Sequence, residues 1–182
     1  MKITFKSLFA PLCILLLTSA IFLQSCSEPA DKFFGVAILN TNTITDFGTP
    51  AFAKQLHDNS VEYPNIPSSK KNGNEASEVV KNKVLYLEKV LKDLHALSAN
   101  DDGRKEIKEQ AIALYDFVLP VYKNEYTAYA KLCDTHAPQE QKDEISTAIE
   151  QKYNAEFEQR ITALLALGKE FATENNLNVN WD

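Results

Sequence analysis

Three long runs place apolar residues three and four positions apart, and this spacing constrains the fold more than any other feature of the chain. The runs cover about residues 76–98, 103–133 and 138–176. An apolar residue at every third or fourth position forms one face of an α-helix, so each run predicts a long amphipathic helix. The apolar positions are Val80, Val84, Leu87, Val90, Leu91, Leu94 and Leu97 in the first run, Ile107, Ala111, Leu114, Val118, Val121, Tyr122, Tyr129 and Leu132 in the second, and Ile145, Ile149, Tyr153, Phe157, Ile161, Leu164, Gly168 and Phe171 in the third.

The segments between these runs are short and polar. The first of them, SANDDG, offers Asn100 or Asp101 as the N-cap of the second helix. Short connections favour antiparallel neighbours, and the chain has only five glycines, which argues against a turn-rich all-β fold. The sequence therefore predicts an all-α fold, an up-down antiparallel bundle of three long helices over residues 76–182.

The second run has two unusual features. Its apolar arc spreads over roughly 200° at 100° per residue, so this helix is expected to pack against at least two others. Pro120 lies within the run and lacks a backbone N–H group, so a kink is expected there.

Residues 26–75 are predicted to form an irregular tether with a short extra helix. Thr49 and Pro50 suit the N-cap and first position of a helix running to about residue 59. The apolar segment FFGVAIL, residues 33–39, is expected to dock on the bundle as a short strand or helix. Residues 63–75 contain prolines, serines and an Asn-Gly pair, which predict a loop.

The N-terminus has the parts of a targeting segment. Lys2 and Lys6 precede an uncharged apolar run from Leu8 to Leu23. The segment Leu23-Gln24-Ser25-Cys26 that follows resembles the lipobox of bacterial lipoproteins. The resemblance implies that residues 1–25 are a signal peptide, that cleavage precedes Cys26, and that Cys26 carries a diacylglyceryl group.

Residue 27 is serine and not aspartate, which resembles the lipoproteins that are passed on to the outer membrane. The helical body resembles the many uncharacterised helical lipoproteins of Gram-negative bacteria. Removal of residues 1–25 leaves 17 basic and 25 acidic residues, a formal charge of −8. This balance argues against nucleic acid as a partner and against electrostatic binding to anionic lipids. The expected partners are the membrane, through the anchor, and an envelope protein or a glycan.

No motif of metal, nucleophilic or phosphate chemistry is found in the sequence. It contains no HExxH, Cys-x-x-Cys, Gly-x-Ser-x-Gly or GxxxxGK[ST]. The residues Cys133, Asp134, His136 and Glu140 offer only a loose set of metal ligands around a helix connection, and they are interpreted as a solvated loop rather than a zinc site. No cofactor is predicted, and Cys133 is interpreted as a core residue.

Two charged residues fall within the apolar arcs. Glu125 lies near the middle of the second arc, and Arg160 lies just inside the third. A buried carboxylate needs a partner, and a guanidinium is its best one, so a Glu125–Arg160 pair lining a ligand pocket is one interpretation. The alternative is that Pro120 changes the phase of the helix and moves Glu125 to the edge.

Four tyrosines, Tyr115, Tyr122, Tyr126 and Tyr129, follow one another along the second helix, and Tyr153 lies on the third. Tyrosine can grip a glycan or a protein with an apolar face and a polar tip. The same residues can equally serve as packing at the edge of the core. Three functions follow from these patterns: a lipid-anchored interaction or ligand-binding module that is not an enzyme, a structural envelope spacer, and a hydrolase-type enzyme that uses Glu125 and Arg160.

Overall fold

The structure, a computed structural model, describes residues 28–181, and within that range the chain is all-α without a β-strand, which confirms the predicted fold class. The predicted signal peptide, residues 1–25, and the predicted lipidation site, Cys26, lie outside the described residues. The elements are α1 (Ala30–Ala37), a 3₁₀ turn (Leu39–Thr43), α2 (Pro50–Ser60), a 3₁₀ turn (Pro67–Ser69), α3 (Glu75–Ala96), α4 (Asp102–Val121), a π turn (Tyr122–Tyr126), α5 (Thr127–Asp134) and α6 (Gln139–Glu174).

The three apolar runs correspond to the long helical stretches. The first is α3 and the third is α6, and the second is a continuous stretch made of α4, the π turn and α5. Two predicted caps are confirmed: the Thr49 hydroxyl accepts the Ala51 N–H at 3.3 Å, and Asp101 Oδ1 accepts the Arg104 N–H at 2.8 Å. These bonds satisfy N–H groups that have no partner within the helix.

The second helical stretch loses its regularity just after Pro120, where a π turn adds one residue to the helical turn. The Thr127 hydroxyl donates to the Tyr122 carbonyl at 3.0 Å and so supports the widened turn. Because one residue corresponds to about 100° of rotation, the π turn changes the faces on which Lys123 to Tyr126 lie. The helix phase therefore departs from the one that a straight helix would have.

The segment before α3 is not an irregular tether, and this part of the sequence prediction is corrected. Eight apolar residues of this segment are at most 2% exposed and belong to the same core as the long helices: Phe33, Phe34, Ala37, Ile38, Ile44, Phe47, Phe52 and Leu56. Helix α1 packs on α3 and α4, and α2 packs on α3, α5 and α6. The apolar area that these residues remove from water holds the segment against the long helices.

The N-terminus of α3 is capped by a residue that is distant in sequence. The Asp134 carboxylate, at the end of α5, accepts the N–H groups of Ala76 at 2.9 Å and Ser77 at 3.0 Å, and it also accepts the Ser77 hydroxyl at 2.5 Å. The neighbouring Asn74 makes no side-chain cap bond. Asp134 therefore joins α5 to α3 and places a negative charge at the positive end of the helix dipole.

Candidate functional site

The tyrosines of the second helix lie in the core and not on the surface. Tyr115 and Tyr122 are 0% exposed and Tyr126 is 1% exposed. The rings of Tyr122 and Tyr126 pack with those of Phe47 and Phe52 and stack on each other with 4.9 Å between centroids. The prediction of a binding strip is corrected by this burial, because a partner cannot reach the rings in this conformation.

The hydroxyl groups of these buried tyrosines differ in their partners. The Tyr126 hydroxyl accepts the Gly48 N–H at 3.0 Å, and the Tyr122 hydroxyl lies 3.4 Å from Asp46 Oδ1. Among residues 28–181, the Tyr115 hydroxyl makes no hydrogen bond of good geometry, and the Thr43 side chain is the polar group that lies near it. Burial raises the pKa of all three phenols, because the charged form would lose its hydration.

Position 48 requires a glycine for two reasons. Its backbone has a φ of 68°, and a Cβ added there would lie 3.0 Å from the Cα of Asn154.

Glu125 lies at the edge of the helix pair, as the alternative interpretation of Pro120 predicts. It is partly exposed on the π turn, and its Oε1 accepts the Tyr153 hydroxyl at 2.6 Å. The two bonded residues line a small cavity of about 230 Å³ between α5 and α6. Its lining is mainly apolar and consists of Glu125, Ala128, Ile145, Ala148, Ile149, Lys152 and Tyr153.

Arg160 has Glu156 as its ion-pair partner, and the predicted Glu125–Arg160 pair does not form within the described chain. The guanidinium lies 2.5 Å from Glu156 Oε1, and its Cζ lies 4.9 Å from the centroid of the Phe117 ring. Arg160 follows Tyr153, the partner of Glu125, by seven residues, or about 10 Å along α6. The two charged residues therefore belong to different places on one helix pair.

Those two places lie on the same flank of α6 but line separate spaces. Arg160 and Glu156 border a groove of about 620 Å³ between α4 and α6. On α6, the residues that line the groove and the smaller cavity recur at three and four positions, so they share one flank of the helix. The Tyr153 ring, which lines the smaller cavity, lies 6.0 Å from the ring of Phe117, over which the Arg160 guanidinium packs. We call the larger space, between α4 and α6, the seam groove, and it is lined by Gln110, Ala113, Ala155, Glu156, Gln159, Arg160 and Ala163.

A buried lysine forms a second polar cluster, which the sequence interpretation missed. Lys142 is only 6% exposed, and its Nζ lies 3.2 Å from Nδ1 of His57 on α2. Cys133 lies close by, where burial raises the pKa of its thiol and the charge of Lys142 partly opposes that rise. Lys142 precedes Ile145 by three positions and Ile149 by seven, and this spacing, which places it on the apolar face of α6, could have predicted its burial. The cluster fastens α2 to α6.

The predicted loose ligand set has other roles. Asp134 caps α3, and Cys133 is 1% exposed in the core. Within the part of the chain that the structure describes, no three His, Cys, Asp or Glu side chains are grouped so that they could hold a metal ion. No helix between residues 28 and 181 is long and apolar enough to cross a membrane.

Comparisons with other proteins identify no relative. The chain matches no protein-family model, no curated protein and no solved structure.

Proposed function

We propose that this protein is a lipid-anchored envelope protein of the outer membrane, and that its helical body is a binding module and not an enzyme. The lipobox-like segment ending at Cys26 supports the anchor. Two or more acyl chains on one residue provide the firm membrane attachment that a single chain does not. With a formal charge of −8 after removal of residues 1–25, the body itself has no general attraction for anionic lipid.

The proposal includes an up-down antiparallel arrangement of three long helical units, namely α3, α4 with α5, and α6. Short connections at residues 97–101 and 135–138 support it. The packing of α3 on α4 and α5, and of α4 and α5 on α6, is also consistent with it. In this arrangement the seam groove runs along the second and third units.

The seam groove is the observation that carries the binding function, and we assign it to a polypeptide segment of another envelope protein. Its volume of about 620 Å³ lies within the range of ligand sites. Ala113, Ala155 and Ala163 leave room for a second backbone to approach closely. Gln110, Gln159 and the Arg160–Glu156 pair supply donors and acceptors along the rim, as in helix-in-groove recognition.

The structure gives less support to the other candidates. A glycan site on the tyrosine strip would need exposed rings, and all four tyrosines of the second helix are buried. A hydrolase using Glu125 and Arg160 would need both groups at one reacting centre, whereas Glu125 bonds to Tyr153 and Arg160 to Glu156. The structural spacer remains the second candidate, and α6 favours it, because 36 helical residues span about 54 Å.

Photo-crosslinking in intact cells tests the assignment. A photoreactive amino acid at Gln159, inside the groove, should capture a specific envelope protein, and Ala155→Arg should abolish that capture by filling the groove. The control carries the photoreactive amino acid at Glu158, which is exposed on α6 outside the groove lining. Equal capture from Glu158, or capture that survives Ala155→Arg in a folded variant, would favour the spacer.

A further inference from the structure

The first described residues are clamped onto one end of the helical body. The Arg104 guanidinium donates to the Glu28 carbonyl at 2.5 Å, and its Nε lies 3.4 Å from Asp101 Oδ2. Its Cζ lies 5.1 Å from the Phe33 ring centroid and 5.4 Å from that of Phe171. Arg104 is only 9% exposed, so the carbonyl is held by a buried charge that also contacts two rings.

The clamp limits the distance between the body and the predicted anchor. Cys26 precedes Glu28 by two residues, and two residues span at most about 7 Å. If Cys26 carries the acyl groups, the end of the body that holds Glu28 lies next to the bilayer. We call this end, formed by Glu28, Asp101, Arg104 and Trp181, the anchor end.

Trp181 makes this end suitable for a lipid surface. Its ring packs edge-on against Phe34 at 5.8 Å, and Lys169 Nζ lies 5.6 Å from it. The side chain is still 36% exposed. Tryptophan prefers the level of the lipid head groups, where an apolar ring and a polar N–H are both accommodated.

The charges at the anchor end are mixed, which suits contact with a zwitterionic lipid surface. Asp101 and Asp102 stand beside Arg104 and Lys105 at the start of α4. Opposite charges at one end give little net attraction or repulsion for a bilayer, so the covalent anchor sets the distance.

We propose that the anchor end faces the bilayer directly, with Trp181 at the head groups, and that the opposite end points away from the membrane. This inference rests on the proposed lipid anchor at Cys26. The opposite end includes the 61–74 connection, where Gly73 approaches the Asp134 carbonyl oxygen. Helix α3, with 22 residues, separates the two ends by about 33 Å.

Energy transfer from the single tryptophan of the chain to a labelled lipid tests the orientation. The chain acylated at Cys26 is placed in phosphatidylcholine vesicles that contain a small fraction of dansyl-headgroup lipid. Trp181 should transfer its energy efficiently. In the matched variant, Trp181→Phe combined with Tyr63→Trp moves the donor to an exposed position in the 61–74 connection, and transfer should fall severalfold.

The outcomes separate the orientation from the anchor. Vesicle flotation of the acylated chain, with Cys26→Ala as the soluble control, tests the anchor alone, and failure to float would overturn it and the orientation with it. Flotation with equal transfer from both donors, or with stronger transfer from the donor at position 63, would overturn only the orientation. Both substitutions exchange one aromatic residue for another at partly or fully exposed positions, so the fold should persist.

Discussion

Removal of single hydroxyl groups from the buried tyrosines should give opposite results at two positions of one helical stretch. Tyr115→Phe and Tyr126→Phe each delete one oxygen atom from a side chain that is at most 1% exposed. The two changes share their chemistry and burial. They differ in the hydrogen bond, because the Tyr126 hydroxyl accepts the Gly48 N–H, whereas the Tyr115 hydroxyl makes no hydrogen bond of good geometry among residues 28–181 and has only the Thr43 side chain near it.

The magnitudes follow from that difference. Tyr126→Phe leaves a buried N–H without its acceptor, which costs about 1–3 kcal/mol in the free energy of unfolding. For a chain of this length that corresponds to a fall in Tm of about 2–10 °C. Tyr115→Phe removes a polar atom whose lost hydration is offset only by the nearby Thr43 side chain, so stability should stay the same or rise by up to about 1 kcal/mol.

Urea unfolding followed by circular dichroism measures both variants against the parent chain. The m-values should agree among the three proteins, because the surface exposed on unfolding is unchanged. The reasoning is refuted if Tyr115→Phe lowers stability by more than about 1 kcal/mol, since its hydroxyl would then have a partner. It is equally refuted if Tyr126→Phe has no effect.

Three further predictions concern the cap, the clamp and the buried phenols. Asp134→Ala should lower the free energy of unfolding by about 2–4 kcal/mol in urea titrations, because the start of α3 loses its charged acceptor. The control Asp116→Ala, on the exposed face of α4, should change the free energy of unfolding by less than about 0.5 kcal/mol. Arg104→Gln should speed proteolysis near residue 28 and lower the free energy of unfolding by about 1–3 kcal/mol. The control Arg160→Gln should leave the cleavage rate unchanged, and equal rates for the two variants would contradict the clamp. Burial raises the pKa of the four tyrosines of the second helix, so their contribution to stability is complete below the unfolded pKa of about 10 and is lost as the pH rises above it. Absorbance at alkaline pH should show these phenols ionising only together with unfolding. Ionisation of these phenols in the folded chain would contradict this prediction.

The long helices could be predicted because their apolar faces repeat over many turns. Val80, Leu87 and Leu94 recur every seven residues in α3, and all three are at most 1% exposed. The burial of the first segment was harder to predict. Ile44 and Phe47 lie in a turn region without helical or strand periodicity, yet both are fully buried. Their positions depend on contacts with distant rings and not on local spacing.

The candidate site was only partly predictable for two physical reasons. Glu125 was assigned to the middle of an apolar arc by the phase of a straight helix, and the π turn after Pro120 changes that phase. The groove at Arg160 depends on the space between small side chains of two helices, such as Ala113 and Ala163, which no pattern within either helix specifies. Glu125 and Arg160 were singled out by their charge, but Glu125 lines the smaller cavity and Arg160 the seam groove, and their partners differ.

The intact mass of the chain extracted from membranes tests the central claim, a lipid anchor at Cys26, most directly. The account predicts a chain that begins at Cys26 and is heavier than its sequence by a diacylglyceryl group, with or without a further acyl group on the new amine. The additional mass should be located on the N-terminal peptide. A chain whose mass equals that of its sequence, with an unmodified Cys26 thiol, would contradict the anchor and the orientation derived from it.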